Sequence, residues 1–138
     1  MPVIEELICT EQDGTISFGN YKLGQKAKKS DFEYQGDMYK VKTYNEITKL
    51  ERNDMFVYES VPGTAAEHFR VTDEGVEFTV EGSKDAQITV QLVNDTDYEI
   101  YVNDSAVGNM MTNMSGKLSV SVELEEGISV PVKAVRRG

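Results

Sequence analysis

The sequence contains no tryptophan, one cysteine and one histidine among its 138 residues. The single cysteine, Cys9, excludes an internal disulfide and a cysteine-based metal cluster. The single histidine, His68, excludes a metal site with several histidines and any pair that needs a second one. A Cys9–His68 nucleophile remains conceivable. However, Cys9 lies in an apolar run without basic neighbours, which favours an inert thiol.

Long apolar runs are also missing. No stretch approaches the roughly 18 apolar residues that a membrane-spanning helix requires. The N-terminal sequence MPVIEELICTEQDG has neither the basic region nor the apolar region of a secretory signal. We therefore expect a cytoplasmic protein without a membrane segment.

Positive charge is scarce, since 14 lysines and arginines stand against 24 aspartates and glutamates, for a net charge of −10. Nucleic-acid-binding proteins neutralise phosphates with clustered lysine and arginine, and an acidic surface repels them. The short basic stretches at 26–30 (KAKKS) and 136–137 (RR) are typical of a solvated loop and tail. The composition predicts neither a nucleic-acid partner nor an anionic membrane partner.

The known phosphate-loop, nucleophile-elbow and zinc-helix motifs are absent from the sequence. Carboxylates are numerous enough for a glycosidase-type pair, but adjacent acidic residues fall in predicted turns, where they indicate solvated charge. The Asn/Asp-rich stretches 94–97 and 102–105 contain oxygen ligands suited to calcium. They lack the ligand spacing of a dedicated loop, and turns use the same residues. We predict no catalytic residue, no cofactor and no metal.

What the sequence does contain is apolar/polar alternation, interrupted by Gly/Asn/Asp turns about every ten residues, which is typical of an all-β protein. Residues 64–138 hold seven such segments, each with one apolar face. Strands with one apolar face must cover one another, so we predict a β-sandwich of immunoglobulin-like size. Pro131 indicates that the last strand is an edge strand or contains a bulge. The predicted strands are 69–72, 76–82, 87–93, 98–103, 106–112, 117–124 and 128–135.

Residues 1–63 predict a smaller β-hairpin and meander subdomain, in which Asp13-Gly14 is a hairpin-turn signal. Pro62-Gly63 marks the boundary between the two parts. The following residues 64–67, TAAE, match a helix capping box and leave room for at most one helical turn. A short N-terminal helix is an alternative to the first strand, because four apolar residues fit one helical face: Val3, Ile4, Leu7 and Ile8.

Candidate contact residues come from the stretch GNMMTNMSG, residues 108–116. We interpret it as a strand end followed by a turn rather than as a ligand-binding loop. Alternation then directs one of Met110 and Met111 to the core and the other outward, and places Met114 in the turn. Exposed methionine suits adaptable protein contacts, so we predict self-association or binding to another protein here.

Carbohydrate binding is the alternative function, and it depends on aromatic side chains that stack on sugar rings. Among Tyr58, Tyr98 and Tyr101, only Tyr101 falls on the face opposite the apolar side of its strand. Tyr101 is therefore the candidate for glycan contact, and it completes the predicted contact surface with the three methionines.

Three segments carry a resemblance to a family: DGTISFGNY, ITKLERNDMFVYESVPGTAAEHF and YEIYVNDSAVGNMMTNMSGKLSVSVELEEGISVPVKAV. They resemble small clostridial proteins that often bear the automatic name "endosialidase", and the resemblance spans nearly the whole chain. The name implies an arginine cluster that binds the substrate carboxylate. Only four arginines are present, two of them in the tail, and the repeated sialidase box is absent. No catalytic residue is carried over.

Overall fold

The computed structural model describes residues 4–137, and within that range the chain forms thirteen β-strands and no helix. Accordingly, no helix among the described residues has the length and apolar character needed to span a membrane. The strands are β1 (Ile8–Thr10), β2 (Ile16–Phe18), β3 (Ala27–Tyr34), β4 (Asp37–Tyr44), β5 (Ile47–Arg52), β6 (Met55–Val61), β7 (Ala65–Thr72), β8 (Gly75–Glu81), β9 (Ala86–Gln91), β10 (Asp97–Val102), β11 (Ser105–Met111), β12 (Lys117–Val122) and β13 (Val130–Arg136).

The strands form two antiparallel sheets that pack face to face. Sheet A has seven strands in the order β1-β2-β7-β8-β13-β10-β11, and sheet B has six in the order β12-β9-β6-β5-β4-β3. The predicted all-β sandwich is confirmed, and each of the seven strands predicted after residue 63 has a counterpart among β7–β13. The alternation of apolar and polar residues located them because each strand buries one face only.

Both sheets take strands from either side of the predicted boundary between residues 63 and 64. In sheet A, β2 pairs with β7, so the N-terminal hairpin continues the sheet formed by the later strands. In sheet B, β6 pairs with β9, which joins the β3–β6 meander to the later β9–β12 pair. One hydrophobic cluster contains residues from both parts of the sequence.

Four aromatic rings occupy the centre of the core. Phe18, Tyr58, Phe69 and Phe78 contribute edge-to-face pairs with centroid separations of 5.0 to 5.8 Å. They come from strands of both sheets and are almost fully buried. Burying a large apolar side chain stabilises a fold by about 1.5–3 kcal/mol, and edge-to-face contact adds about 0.5–1.5 kcal/mol per pair.

The capping-box match at residues 64–67 does not produce a helical turn. Thr64 does not cap a helix, because its side chain is buried and bonded within the core. Its hydroxyl lies 2.7 Å from the Tyr58 hydroxyl and 2.8 Å from the Ser60 hydroxyl, and its backbone N–H donates to Thr48 Oγ1 at 3.0 Å. The next residue begins β7, which is held by ladders to β2 and β8. Tertiary pairing therefore overrides the local helix signal.

The prediction that Pro131 marks an edge strand or a bulge is wrong. β13 lies inside sheet A between β8 and β10, and its register is continuous on both sides. The Pro131 carbonyl accepts from the Asn103 N–H at 2.8 Å. The backbone nitrogen of a strand residue points to the same side as its carbonyl, so the missing N–H faces the β10–β11 turn. The missing donor therefore lies at the end of the β10–β13 ladder and does not interrupt it.

At the N-terminus, the first strand prevails over the alternative helix. Residues 5–7 form a turn and a bend, and β1 pairs with β2 across the connection that contains Asp13 and Gly14. Gly14 has a φ of +87°, a left-handed conformation that glycine adopts without steric cost. Val3 lies outside the described residues.

Candidate functional site

Two of the predicted contact methionines, Met110 and Met111, belong to β11, which is a terminal strand of sheet A and pairs only with β10. All seven residues of β11 are exposed, and its sequence SAVGNMM contains no charged side chain. One extra residue, Val107, forms a bulge opposite the Ile100–Tyr101 step. A long uncharged strand at a sheet edge offers free backbone groups to another chain.

The other three sheet edges carry features that discourage strand addition. β1 has only three residues. β3 carries Lys28 and Lys29 and has a register shift. β12 begins with Lys117, whose ammonium lies 4.7 Å from the centroid of the Phe56 ring. Short length, lysines and bulges are the means by which natural proteins protect such edges. β11 has a bulge near its start but neither of the other protections.

The backbone of Asn109 and Met111 points away from the sheet. Thr112 donates its N–H to the Thr96 carbonyl at 2.9 Å, on the β10 side. Backbone groups of successive strand residues alternate in direction, so Met110 also faces β10 while Asn109 and Met111 face outward. Two N–H groups and two carbonyls are thus left without a strand partner in the monomer.

Neither strand methionine lies in the core, which corrects the prediction that one would be buried. Met110 is 37% exposed and Met111 is 67% exposed. Tyr98, which lies opposite Met110 on β10, is buried. The cover provided by sheet B therefore ends between β10 and β11.

The residues after Met111 form the predicted turn. The side-chain oxygen of Asn113 accepts from the backbone N–H groups of Ser115 at 3.0 Å and Lys117 at 3.1 Å. The Thr112 hydroxyl donates to the Val93 carbonyl at 2.6 Å. This bond holds the connection in which the chain passes from β9 of sheet B to β10 of sheet A. Met114 lies at the tip of this turn and is 83% exposed. The three methionines are thus all exposed, with Met110 and Met111 on opposite faces of β11 and Met114 in the turn that follows.

Tyr101, the remaining predicted contact residue, lies elsewhere, in a groove on the outer face of sheet A. The groove has a volume of about 430 Å³, within the usual range for ligand sites. Residues from β7, β8, β10 and β13 and from the β1–β2 turn line it. The side chains that matter for its chemistry are Asp13, His68, Arg70, Glu77, Tyr101 and Lys133.

A bulge in β7 places His68 in this groove. The register of β7 against β8 shifts between Glu67 and Arg70, and His68 has a φ of +54°, which is unusual for a residue other than glycine. Its backbone N–H donates to the Ser17 hydroxyl at 3.1 Å. His68 Nδ1 lies 3.0 Å from Asp13 Oδ2. Bulges and strained residues of this kind occur often at functional sites.

Asp13 is held as a carboxylate by its local turn. Its Oδ1 accepts the backbone N–H of Thr15 at 3.0 Å and also the Thr15 hydroxyl. The hydrogen bonds from Thr15, together with the neighbouring His68, lower the pKa of Asp13 to about 2. Because Asp13 holds the Nδ1 side of the imidazole, Nε2 is the nitrogen left for a ligand.

Tyr101 shares the groove with a cation. The Lys133 ammonium lies 5.1 Å from the centroid of the Tyr101 ring, within cation–π range. A sugar stacking on that face of the ring would displace this ammonium group. The groove thus combines one aromatic ring with charged and hydrogen-bonding side chains.

The Cys9–His68 pair considered from the sequence does not form in the structure. Cys9 lies opposite Ser17 on the β1–β2 hairpin, whereas the His68 ring is bonded to Asp13. Burial, with the nearby Glu11, Glu6 and Glu67, raises the pKa of the Cys9 thiol, which disfavours the nucleophilic thiolate. Within residues 4–137, no three His, Cys, Asp or Glu side chains are grouped to hold a metal ion.

The sequence did not point to Asp13, His68 and Arg70 as one group. Asp13 was recognised only as a turn residue, and 55 residues separate it from His68. The outward alternation of Tyr101 identified one member of the groove, because that alternation is a local property of a strand. The pairing of β2 with β7, which brings the other members together, leaves no local signal.

Comparison with known proteins gives no further guide. The sequence matches no protein-family model, and searches of curated proteins and of solved structures find no similar protein.

Proposed function

We propose that this chain is a non-catalytic β-sandwich protein that acts by self-association, with β11 of one copy pairing with β11 of a second. The observation that carries the proposal is the exposed edge strand without any charged residue. Because the chain carries a net charge of −10, two copies repel each other over most of their surfaces. An uncharged strand is where that repulsion is locally smallest.

The backbone geometry of β11 fits antiparallel pairing centred on Met110. Asn109 of one copy then lies opposite Met111 of the other, and both direct their backbone groups across the interface. This gives two hydrogen-bonded pairs, with the two Met110 residues facing each other between them at the closer, non-hydrogen-bonded position. The same surface serves on both copies, as two-fold symmetry requires. Sheet A then continues from one copy into the next.

The test is the oligomeric state of Met110→Lys, measured by light scattering coupled to size-exclusion chromatography. Wild type is expected to give twice the chain mass, because β11 pairs across the two-fold axis. Met110→Lys is expected to be a monomer, since two lysines would face each other in the interface.

The matched control is Met55→Lys, which adds the same charge at an exposed methionine in the β5–β6 turn region. It should remain a dimer. A monomeric wild type, or dissociation caused equally by Met55→Lys, would overturn the proposal. Binding of a different protein to monomeric wild type would indicate a hetero-partner instead.

Carbohydrate binding is the second candidate, favoured by the position of Tyr101 in the outer groove beside His68, Glu77 and Asp104. Such side chains suit sugar hydroxyls, and the resemblance to endosialidase-named proteins is consistent with a role as a carbohydrate-binding or accessory module. The test is a glycan array followed by titration of any hit against Tyr101→Ala. The control is Tyr44→Ala, another tyrosine with a lysine ammonium near its ring. The absence of binding to any glycan on the array would reject this function.

A further inference from the structure

A second cleft, of about 410 Å³, lies at the open end of the sandwich between β2 and β7 of sheet A and the β3–β6 meander of sheet B. Its volume is also typical of small-molecule sites. Ile16, Tyr34, Tyr39 and Phe56 contribute apolar and aromatic walls. The lining includes neither Tyr101 nor any of the three contact methionines.

This cleft contains two arginines without ion-pair partners. Arg52 and Arg70 are the only arginines outside the C-terminal tail, and both line the cleft. Neither guanidinium forms an ion pair with any carboxylate of residues 4–137. Arg70 makes one long contact, 3.4 Å, to the Asp13 backbone carbonyl. Both arginines are exposed, so their guanidinium groups can be reached by a ligand from solution.

Two carboxylates also line the cleft, but other groups already engage them. Asp13 accepts hydrogen bonds from Thr15 and lies 3.0 Å from His68 Nδ1. Asp37 accepts the side-chain N–H of Asn53 at 2.9 Å. Both carboxylates are thus occupied by hydrogen bonds from other side chains, whereas neither guanidinium forms an ion pair within residues 4–137.

The arginines flank a pair of tyrosines. Tyr34 and Tyr39 are edge to face, with ring centroids 5.6 Å apart. Burial raises the pKa of Tyr39, and the adjacent Arg52 guanidinium opposes that shift. Burial likewise raises the pKa of Tyr34, and Arg70 opposes it. A cation thus stands near each phenol, beside aromatic surface.

We propose that this cleft binds a small organic acid whose carboxylate is held by Arg52 and Arg70 and whose flat apolar body packs against the aromatic wall. Guanidinium binds carboxylate through two parallel N–H···O bonds, which gives both strength and orientation. The tyrosines and Phe56 supply contact area for a ring. This site is independent of the self-association through β11.

The test is an NMR titration with 3-phenylpropionate and its neutral counterpart 3-phenylpropanamide as probes. The acid should cause saturable shifts of amides that line the cleft, such as those of Gln35 and Thr72. The amide should bind about tenfold more weakly or worse, because it lacks the charge that the arginines recognise. Raised salt should weaken the acid more than the amide.

Variants distinguish specific binding of the acid in the cleft from general attraction of an anion to positive charge. Arg52→Gln and Arg70→Gln should each weaken acid binding by about tenfold or more, and the lysine replacements should restore part of it. Arg136→Gln removes the same charge from outside the cleft and should change nothing. Wild-type spectra without saturable shifts, equal binding of acid and amide, or equal weakening by Arg136→Gln would each overturn the proposal.

Discussion

At the scale of single residues, side chains that end up buried or bonded away from their own strand decide the details of this fold. Thr64 is the clearest example, because its local sequence favours a helix cap while its hydroxyl is bonded to Tyr58 and Ser60 in the core. Tyr58 is fully buried, and burial raises the pKa of its hydroxyl to about 12. Such a group is stable only when it is hydrogen-bonded.

Tyr58→Phe should therefore lower the free energy of unfolding by about 0.5–1.5 kcal/mol, the usual net contribution of one hydrogen bond. Thr64 keeps its contact with Ser60, so its hydroxyl is not left unpaired. Urea unfolding followed by circular dichroism measures the change. Tyr101→Phe is the control and should be nearly neutral, because that residue is partly exposed. Equal losses in both variants would contradict the role of the buried network.

Asp13 predicts an acid-dependent component of stability. Its pKa is about 2 in the folded chain, against roughly 4 for an unfolded aspartate. The folded-state value is the lower one, so the stabilisation is present above about pH 4 and is lost as the pH falls toward 2. Asp13→Asn should make the midpoint of urea unfolding depend less on pH over that range. Asp54→Asn, a change at an exposed turn, is the control, and an unchanged pH profile in Asp13→Asn would contradict the assignment.

At the scale of strands, the sequence predicts where strands lie far better than how they pair. The predicted strands after residue 63 match β7–β13, because a strand that buries one face has alternating apolar and polar residues. Pro131 shows the limit of this approach. It suggested an edge strand, whereas its missing N–H simply faces a turn at the end of the β10 ladder.

The sites were predictable only in part, for the same reason. The outward direction of Tyr101 was predicted because alternation gives the outward residues of a single strand, and Met114 was predicted in a turn from the residues around it. That both Met110 and Met111 are exposed was not predicted, since it depends on how far sheet B extends over β11. The Asp13–His68 pair and the two-arginine cleft were also missed, because they result from contacts between segments that are distant in sequence.

Glycine at a strand boundary gives a further prediction. Gly75 begins β8, with a φ of +144°. A Cβ added there would lie 1.8 Å from the Ala134 carbonyl oxygen on β13, an impossible contact. Gly75→Ala should therefore destabilise the fold by more than about 1 kcal/mol, because alanine is strained at this φ and its Cβ would overlap the Ala134 oxygen. Gly36→Ala, with open space around its Cβ but a positive φ, should cost less in a thermal melt. The reverse order would contradict this account of the β8–β13 approach.

At the scale of the whole molecule, the two sheets require both parts of the sequence. Residues 64–138 alone would leave β9 without β6 and would expose the core that β2 and β6 cover. This fragment should be largely unfolded by circular dichroism and tryptic digestion, unlike the full chain. Co-expression of the two parts as separate chains is the informative companion experiment and should recover some structure. A stably folded 64–138 fragment would contradict the account.

The whole molecule also explains why β11 is the candidate interface. A sandwich has four strand edges, and here three are short, lysine-bearing or both. The fourth is uncharged and exposed, and its outward backbone groups are spaced for pairing with an identical strand. Self-association through this edge is the central proposal for the function of the chain.

Disulfide trapping tests that proposal most directly. In a Cys9→Ser background, Met110→Cys should give a covalent dimer under mild oxidation, because the two sulfurs face each other at a non-hydrogen-bonded antiparallel position suited to a disulfide. Met55→Cys, a more exposed position on β6 of sheet B, should remain monomeric on a non-reducing gel. A Met110→Cys chain that does not cross-link, or a Met55→Cys chain that cross-links as readily, would contradict the pairing of β11 with its own copy.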